Sequence, residues 1–225
     1  FDLIKTMFKK ILRLFRKDDP PFRTELQQEE AERWHEDKSR LMESILGKEH
    51  NMVMHAIIPY AVGGGLDLYY YPNDIEGVAV ATKELSESPD KGSSNDAFNL
   101  YEIAMFTRSK FDLDKAHDDS TEFGRAHANI NSVLNVIAPY SAQARLNPNE
   151  TCEFPETMKR VGGKCFIFDA YRVERATDQF GVLAVIEIFR SEMDFARESG
   201  GATLIEKLKQ TGHYPYSDLD REPVA

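Results

Sequence analysis

Both alternating sets of positions are apolar along residues 180–189, FGVLAVIEIF. Phe180, Val182, Ala184, Ile186 and Ile188 form one set. Gly181, Leu183, Val185, Glu187 and Phe189 form the other. A run of this length, rich in Val, Ile and Phe, predicts a strand covered on both faces, with Glu187 as its one charge. Arg190-Ser191-Glu192 breaks the run. Met193-Asp194-Phe195-Ala196 then opens a helical pattern, Gly200-Gly201 interrupts it, and Leu204, Ile205 and Leu208 mark a second helix. Residues 164–172, KCFIFDAYR, predict a strand that pairs with 180–189 across a charged turn.

Residues 51–110 read as a meander, with strands expected at 52–60, 66–71, 77–85 and 99–107. Gly63-Gly64-Gly65 and Pro72-Asn73-Asp74 punctuate them, so the pairing is expected to be antiparallel. The polar stretch 86–97 is expected to be a loop or flap. A helix is predicted over 24–46, with Thr24 and Gln27 as a capping box and Gly47 as its stop. Another is predicted over 120–137, buried through Phe123, Ala126, Ile130, Val133, Leu134 and Ile137 and ended by Pro139. Residues 147–163 read as irregular. The fold class expected is α+β, a mostly antiparallel sheet flanked by helices.

Ahead of this stands a basic amphipathic segment, residues 1–17. Phe1, Ile4, Phe8, Ile11 and Phe15 recur at helical spacing, and Lys5, Lys9 and other cations fill the opposite side. Asp18-Asp19-Pro20-Pro21 ends it. The expected division is therefore residues 1–22, a basic helix and linker, and residues 23–225, one α+β domain. Two readings of the segment stand side by side. It lies on an anionic membrane surface or in a partner's groove, or it packs on the domain as an ordinary helix.

Charge sharpens the contrast. Residues 1–17 hold six cations and one anion, so residues 18–225 carry −15 and the whole chain −10. A body this acidic repels phosphate and disfavours nucleic acid. It suits a basic protein partner, and it equally serves solubility. Two cysteines, Cys152 and Cys165, make neither a disulfide framework nor a zinc pattern. Free thiols in a reducing, cytoplasmic setting are expected.

Candidate chemistry is sparse. The triple glycine lacks the G-x-x-x-x-G-K-[ST] pattern of a phosphate loop and reads as a hairpin turn. Asp112, Asp114, His117, Asp118 and Asp119 cluster before a helix, where capping is the expected role. His127 reads as a core-edge residue. Four carboxylates fall within expected strands: Asp67, Glu102, Asp169 and Glu187. A convergent pair would suit hydrolysis; otherwise they line a solvated face or pair with Arg108 and Arg172. No metal or cofactor is implied, and no catalytic signature motif is present.

The order strand, Phe189-Arg190-Ser191-Glu192-Met193-Asp194-Phe195-Ala196, glycine, then helix 202–208 resembles the suppressor-of-fused domain family. The ending Asp218-Leu219-Asp220-Arg221-Glu222-Pro223-Val224 also fits, as does Leu66-Asp67-Leu68-Tyr69-Tyr70-Tyr71-Pro72 upstream. The resemblance spans about residues 50–224. The chain departs from the family's pattern at 82–86 and at 105–108. The resemblance implies a mixed α+β domain that acts by binding protein, in animals restraining a transcription factor and in bacteria resembling immunity proteins that neutralise toxins. The expected partner is a protein, a basic toxin in the sharpest reading. The expected contact residues are Asp67, Tyr69, Tyr71, Glu84, Glu102 and Arg108.

Overall fold

The structure, a computed structural model, describes residues 25–89, 91–177 and 179–225. The basic segment 1–17 and the Thr24 cap lie outside the described residues. The described residues divide between two units, residues 25–37 in one and residues 38–225 in the other.

Helix α1 (Glu25–Leu46) enters the second unit with its last turns. Lys38, Met42, Ile45 and Leu46 share one face and are all buried. Gly47, at φ 87°, stops the helix and donates its N–H to the Glu43 carbonyl. Then follow β1 (Val53–Met54), β2 (Leu68–Tyr71), β3 (Val78–Ala81), a small hairpin of β4 (Ser86–Ser88) and β5 (Lys91–Gly92), and β6 (Leu100–Thr107). Helix α2 (Glu122–Ser141) precedes β7 (Thr151–Glu153), β8 (Cys165–Tyr171) and β9 (Phe180–Ile188). Helices α3 (Arg190–Ser199) and α4 (Gly201–Gln210) close the order.

Seven strands make one sheet in the order β1-β2-β3-β6-β9-β8-β7. Every pairing in it is antiparallel except the central one, where β6 and β9 run parallel with Leu100 opposite Phe180. All nine residues of β9 are buried, as its two apolar faces require. Helix α2 covers one face, over Tyr70, Val80, Tyr101, Ile103, Leu183, Val185 and Phe166. Helix α3 packs on β7 and β8 at the other face. There Arg190 reaches Glu153 at 2.5 Å. At Gly181 the Phe98 ring lies where a Cβ would stand, within 2.2–2.4 Å, so the strand needs glycine there.

Several expectations are corrected. Only Val53–Met54 of the expected 52–60 strand pairs with β2. Asp67 captures the Ala56 N–H at 2.8 Å, and Pro59 leads into a 3-10 turn at Tyr60–Val62, so the chain leaves the sheet. The expected third strand, 77–85, is cut to Val78–Ala81. The stretch 86–97 is not a free flap, because it contains the β4–β5 hairpin. That hairpin is pinned by Ser93 N–H to the Leu85 carbonyl and by Tyr101 N–H to the Ser93 carbonyl. Within the irregular 147–163, Thr151–Glu153 pairs with β8. Helix α2 does not stop before Pro139 but runs to Ser141, with the proline inside its last turn.

Register also settles the thiols. Cys152 stands opposite Phe166 and Cys165 opposite Glu153, on opposite faces of the sheet, and both are free. The aspartate cluster serves local turns. Asp112 accepts from the Asp114 N–H and Asp118 from Ser120, while Thr121 is the cap of α2. Among the described residues no His, Cys, Asp and Glu group could hold a metal ion. No helix among them is long and apolar enough to cross a membrane.

Candidate binding face

The parity of β2 and β6 places Tyr69, Tyr71 and Glu102 on one side of the sheet, and the turns beyond β1 and β3 bring Asp67 and Glu84 beside them. Asp67 donates its N–H to Glu84 at 3.1 Å. The Asp67 and Glu84 carboxylates, with those of Glu49 and Glu102, surround Tyr69; burial first and then these charges push its phenol up to about 12. Tyr71 donates to Glu49 at 2.9 Å. Five of the six expected contact residues therefore form one neighbourhood. Arg108 does not join them. It lies past the far end of β6, its guanidinium 3.9 Å above the Tyr216 ring and its N–H donating to Asp218 at 2.7 Å.

Within the cluster the roles divide. Glu102 is wholly buried and saturated. Thr82 Oγ1 donates to it at 2.6 Å and Ser86 Oγ at 2.5 Å, with the amides of Leu85 and Ser86 at 3.1 and 3.0 Å. Lys38 Nζ stands 3.4 Å away and also donates to the Lys83 and Ser86 carbonyls. Glu102 is thus a tie between α1 and the turn after β3, closed to a partner. Lys83 pairs with Glu49 and donates to Ser39 Oγ.

Glu84 is half-buried and differs from Glu102. Burial, the leading cause, with the Asp67 and Glu102 charges, raises its carboxyl to about 7, against the lowering effect of the Asp67 N–H and the Lys38 charge. Asp67 holds the neighbouring loop: His55 Nδ1 lies 2.7 Å from its carboxylate and the Ala56 N–H donates to it. Beyond Ala56 the loop carries exposed apolar side chains. Ile57 is fully exposed, Ile58 59% and Val62 66% exposed, and Met52 stands at 59% just before β1.

The three glycines fold this loop back on itself. Gly63 takes φ 84°, Gly64 donates to the Pro59 carbonyl and Gly65 to the Ile58 carbonyl. A Cβ on Gly64 would stand 1.8 Å from the Ile58 oxygen. Leu66 N–H donates to Asn135 on α2 at 2.9 Å. The hairpin-type turn expected from the sequence is a closed loop with an apolar outer surface. Next to it a cleft of about 430 Å³ is lined by Tyr60, Glu84, Glu87, Ser93, Ser141 and Arg145.

The remaining strand carboxylates do not converge with these. Asp169 accepts from Tyr214 at 2.6 Å. Glu187, on the opposite face from Glu102, accepts from Lys164 at 2.5 Å and Asn129 at 2.7 Å, at the floor of a cleft of about 610 Å³. Neither uses Arg108 or Arg172; Arg172 instead bonds Asp74 and the Ile45 carbonyl. His127 is a satisfied core residue, 2.9 Å from Tyr70 Oη and 3.2 Å from the Ala116 carbonyl, and burial lowers its pKa. Sequence reasoning missed Lys38, Lys164 and the apolar loop. Lys38 falls at i−4 from Met42, a position the helical stripe does predict to face inward.

No family model matches the chain. No curated protein matches it either. Solved structures do. A chain of the Sufu–Fu complex crystal structure superposes with a TM-score of 0.54 at 12% identity, covering 87% of this chain and 92% of that one. A suppressor-of-fused homologue from Neisseria gonorrhoeae gives 0.53 at 12% identity, covering 86% and 98%. The chain has the suppressor-of-fused fold.

Proposed function

We propose that the chain is a non-enzymatic protein-binding module of suppressor-of-fused type, acting as an inhibitor or immunity protein that captures a cationic partner. The observation that carries this reading is the closed loop that presents Ile57, Ile58 and Val62 to water. Its own hydrogen bonds hold it in shape, so binding there costs little ordering entropy. Two further features support it. The strand carboxylates available for hydrolysis are each committed to separate structural partners. The acidic charge of residues 18–225 favours fast encounter with a basic protein. The structural likeness adds a third support: a chain of the Sufu–Fu complex has this fold.

The test is affinity capture from the source organism with the wild-type chain and with an Ile57→Ser/Ile58→Ser/Val62→Ser variant. These side chains are exposed, so the variant is expected to unfold within about 0.5 kcal/mol per site of wild type and to lose the captured partner. Equal recovery by both would remove the loop from the account.

A further inference from the structure

We infer that the corner formed by the apolar loop, Asp67 and Glu84 takes a cationic amphipathic segment of the partner, with apolar side chains seated on Met52, Ile57, Ile58 and Val62 and a lysine or arginine placed against Asp67 and Glu84. The inference rests on the protein-binding reading and adds the chemistry of the occupant.

The cations nearest the corner are already engaged. Lys38 is held by Glu102 and two carbonyls, and Lys83 by Glu49 and Ser39. Lys91 pairs with Glu87 and Arg145 with Asp96. Glu84 has no ion pair among the described residues, and its only direct donor among them is the Asp67 N–H. A positive group brought from outside meets two neighbouring carboxylates in a half-buried setting, where attraction is stronger than in open water. An anionic segment is repelled by Asp67, Glu84 and Glu87 together. The apolar loop next to them supplies the hydrophobic half of the contact.

The groups facing Glu84 set a pH dependence. They are Asp67 ahead of β2, Tyr69 on β2, Glu102 on β6, Lys38 on α1, Tyr60 in the 3-10 turn and Glu87 on β4, with His55 against Asp67. In the free protein the Glu84 carboxyl titrates at about 7, raised chiefly by burial. A bound cation favours the ionised form, so affinity rises with pH. If only that form holds the cation, binding is about tenfold tighter at pH 8 than at pH 6.

The probe is a synthetic Lys/Leu amphipathic peptide of about 18 residues, titrated against the full chain by fluorescence anisotropy at both pH values. Binding is expected for this peptide, and not for versions with glutamate in place of lysine or serine in place of leucine. Glu84→Gln is expected to flatten the pH dependence, and His55→Gln to keep it. Because Gln is isosteric and Ile57 and Ile58 are exposed, Ile57→Ser/Ile58→Ser is the second arm, expected to weaken binding at both pH values on an intact fold. A Lys/Leu peptide that binds wild type and Glu84→Gln alike overturns the inference, and so does binding to phosphatidylserine vesicles without binding to the peptide. A native partner lost by the triple loop variant, but indifferent to Glu84→Gln and to pH, removes this inference and leaves the protein-binding reading standing.

Discussion

Replacing Glu102 by leucine is expected to destabilise the domain by about 3–5 kcal/mol, the range for breaking a buried ion pair from one side. The change strands the Lys38 ammonium, 4% exposed, with two carbonyls and no counter-charge. It also takes away the carboxylate that accepts from the N–H groups of Leu85 and Ser86. Lys38→Met leaves Glu102 with its hydroxyl and amide donors and is expected to cost less. The Lys38→Met/Glu102→Leu double variant is expected to fall short of the sum, since the stranded charge is gone. Urea unfolding of the four proteins checks this cycle. Strict additivity would mean that the two side chains act independently.

The second large effect is expected at the chain's end. Arg221 forks onto Glu192 at 2.5 and 2.9 Å, and the N–H groups of Phe189 and Val224 donate to the same carboxylate at 2.9 Å each. Glu192 is wholly buried. Burial on its own raises the carboxyl, but the guanidinium and the amides outweigh it and hold it below its ordinary value. A carboxyl lowered on folding contributes stability above its unfolded pKa, and that contribution fades as pH falls through the folded value. Arg221→Met is therefore expected to cost about 3 kcal/mol at pH 7. Its deficit against wild type is expected to shrink as pH drops below the ordinary glutamate range of about 4. Chemical unfolding across that range measures it. A deficit that grows towards acid would contradict the sign.

This pair also explains what was legible in the sequence. The resemblance rested most heavily on Phe189–Ala196 and on the Asp218–Val224 ending, far apart in order. In the fold they are the two halves of one buried contact, Glu192 from the first and Arg221 from the second. The strand reading of 180–188 followed from apolar residues at both parities, a local signal, and the central place of β9 followed from it. Glu187, the exception, is explained by Lys164 and Asn129, neither of which its spacing could reveal.

The parallel pairing of β6 with β9 was not legible, because two strands so far apart in the chain, Leu100 against Phe180, carry no direction in their own pattern. The loss of strand after Met54 had a signal, Pro59, but the decisive element was a carboxylate from Asp67 reaching across. At the candidate face, Asp67, Tyr69, Tyr71, Glu84, Glu102 and Arg108 were expected as contact residues, but neither the gathering of the first five nor their division of labour was legible. Burial decides that Glu102 is a tie and Glu84 an open carboxylate, and burial of a turn residue is a tertiary outcome. Arg108 fell outside because it follows the last residue of β6, at the end remote from Glu84.

The central claim is that partners dock at the corner of the apolar loop and Glu84. Hydrogen exchange on the full chain, with and without its captured partner, tests it most directly. The amides of residues 52–65 and 84–87 are expected to slow on binding, while those of α3, α4 and residues 213–221 exchange as before. Slowing confined to α3, α4 or the terminal segment, with residues 52–65 unchanged, would contradict it.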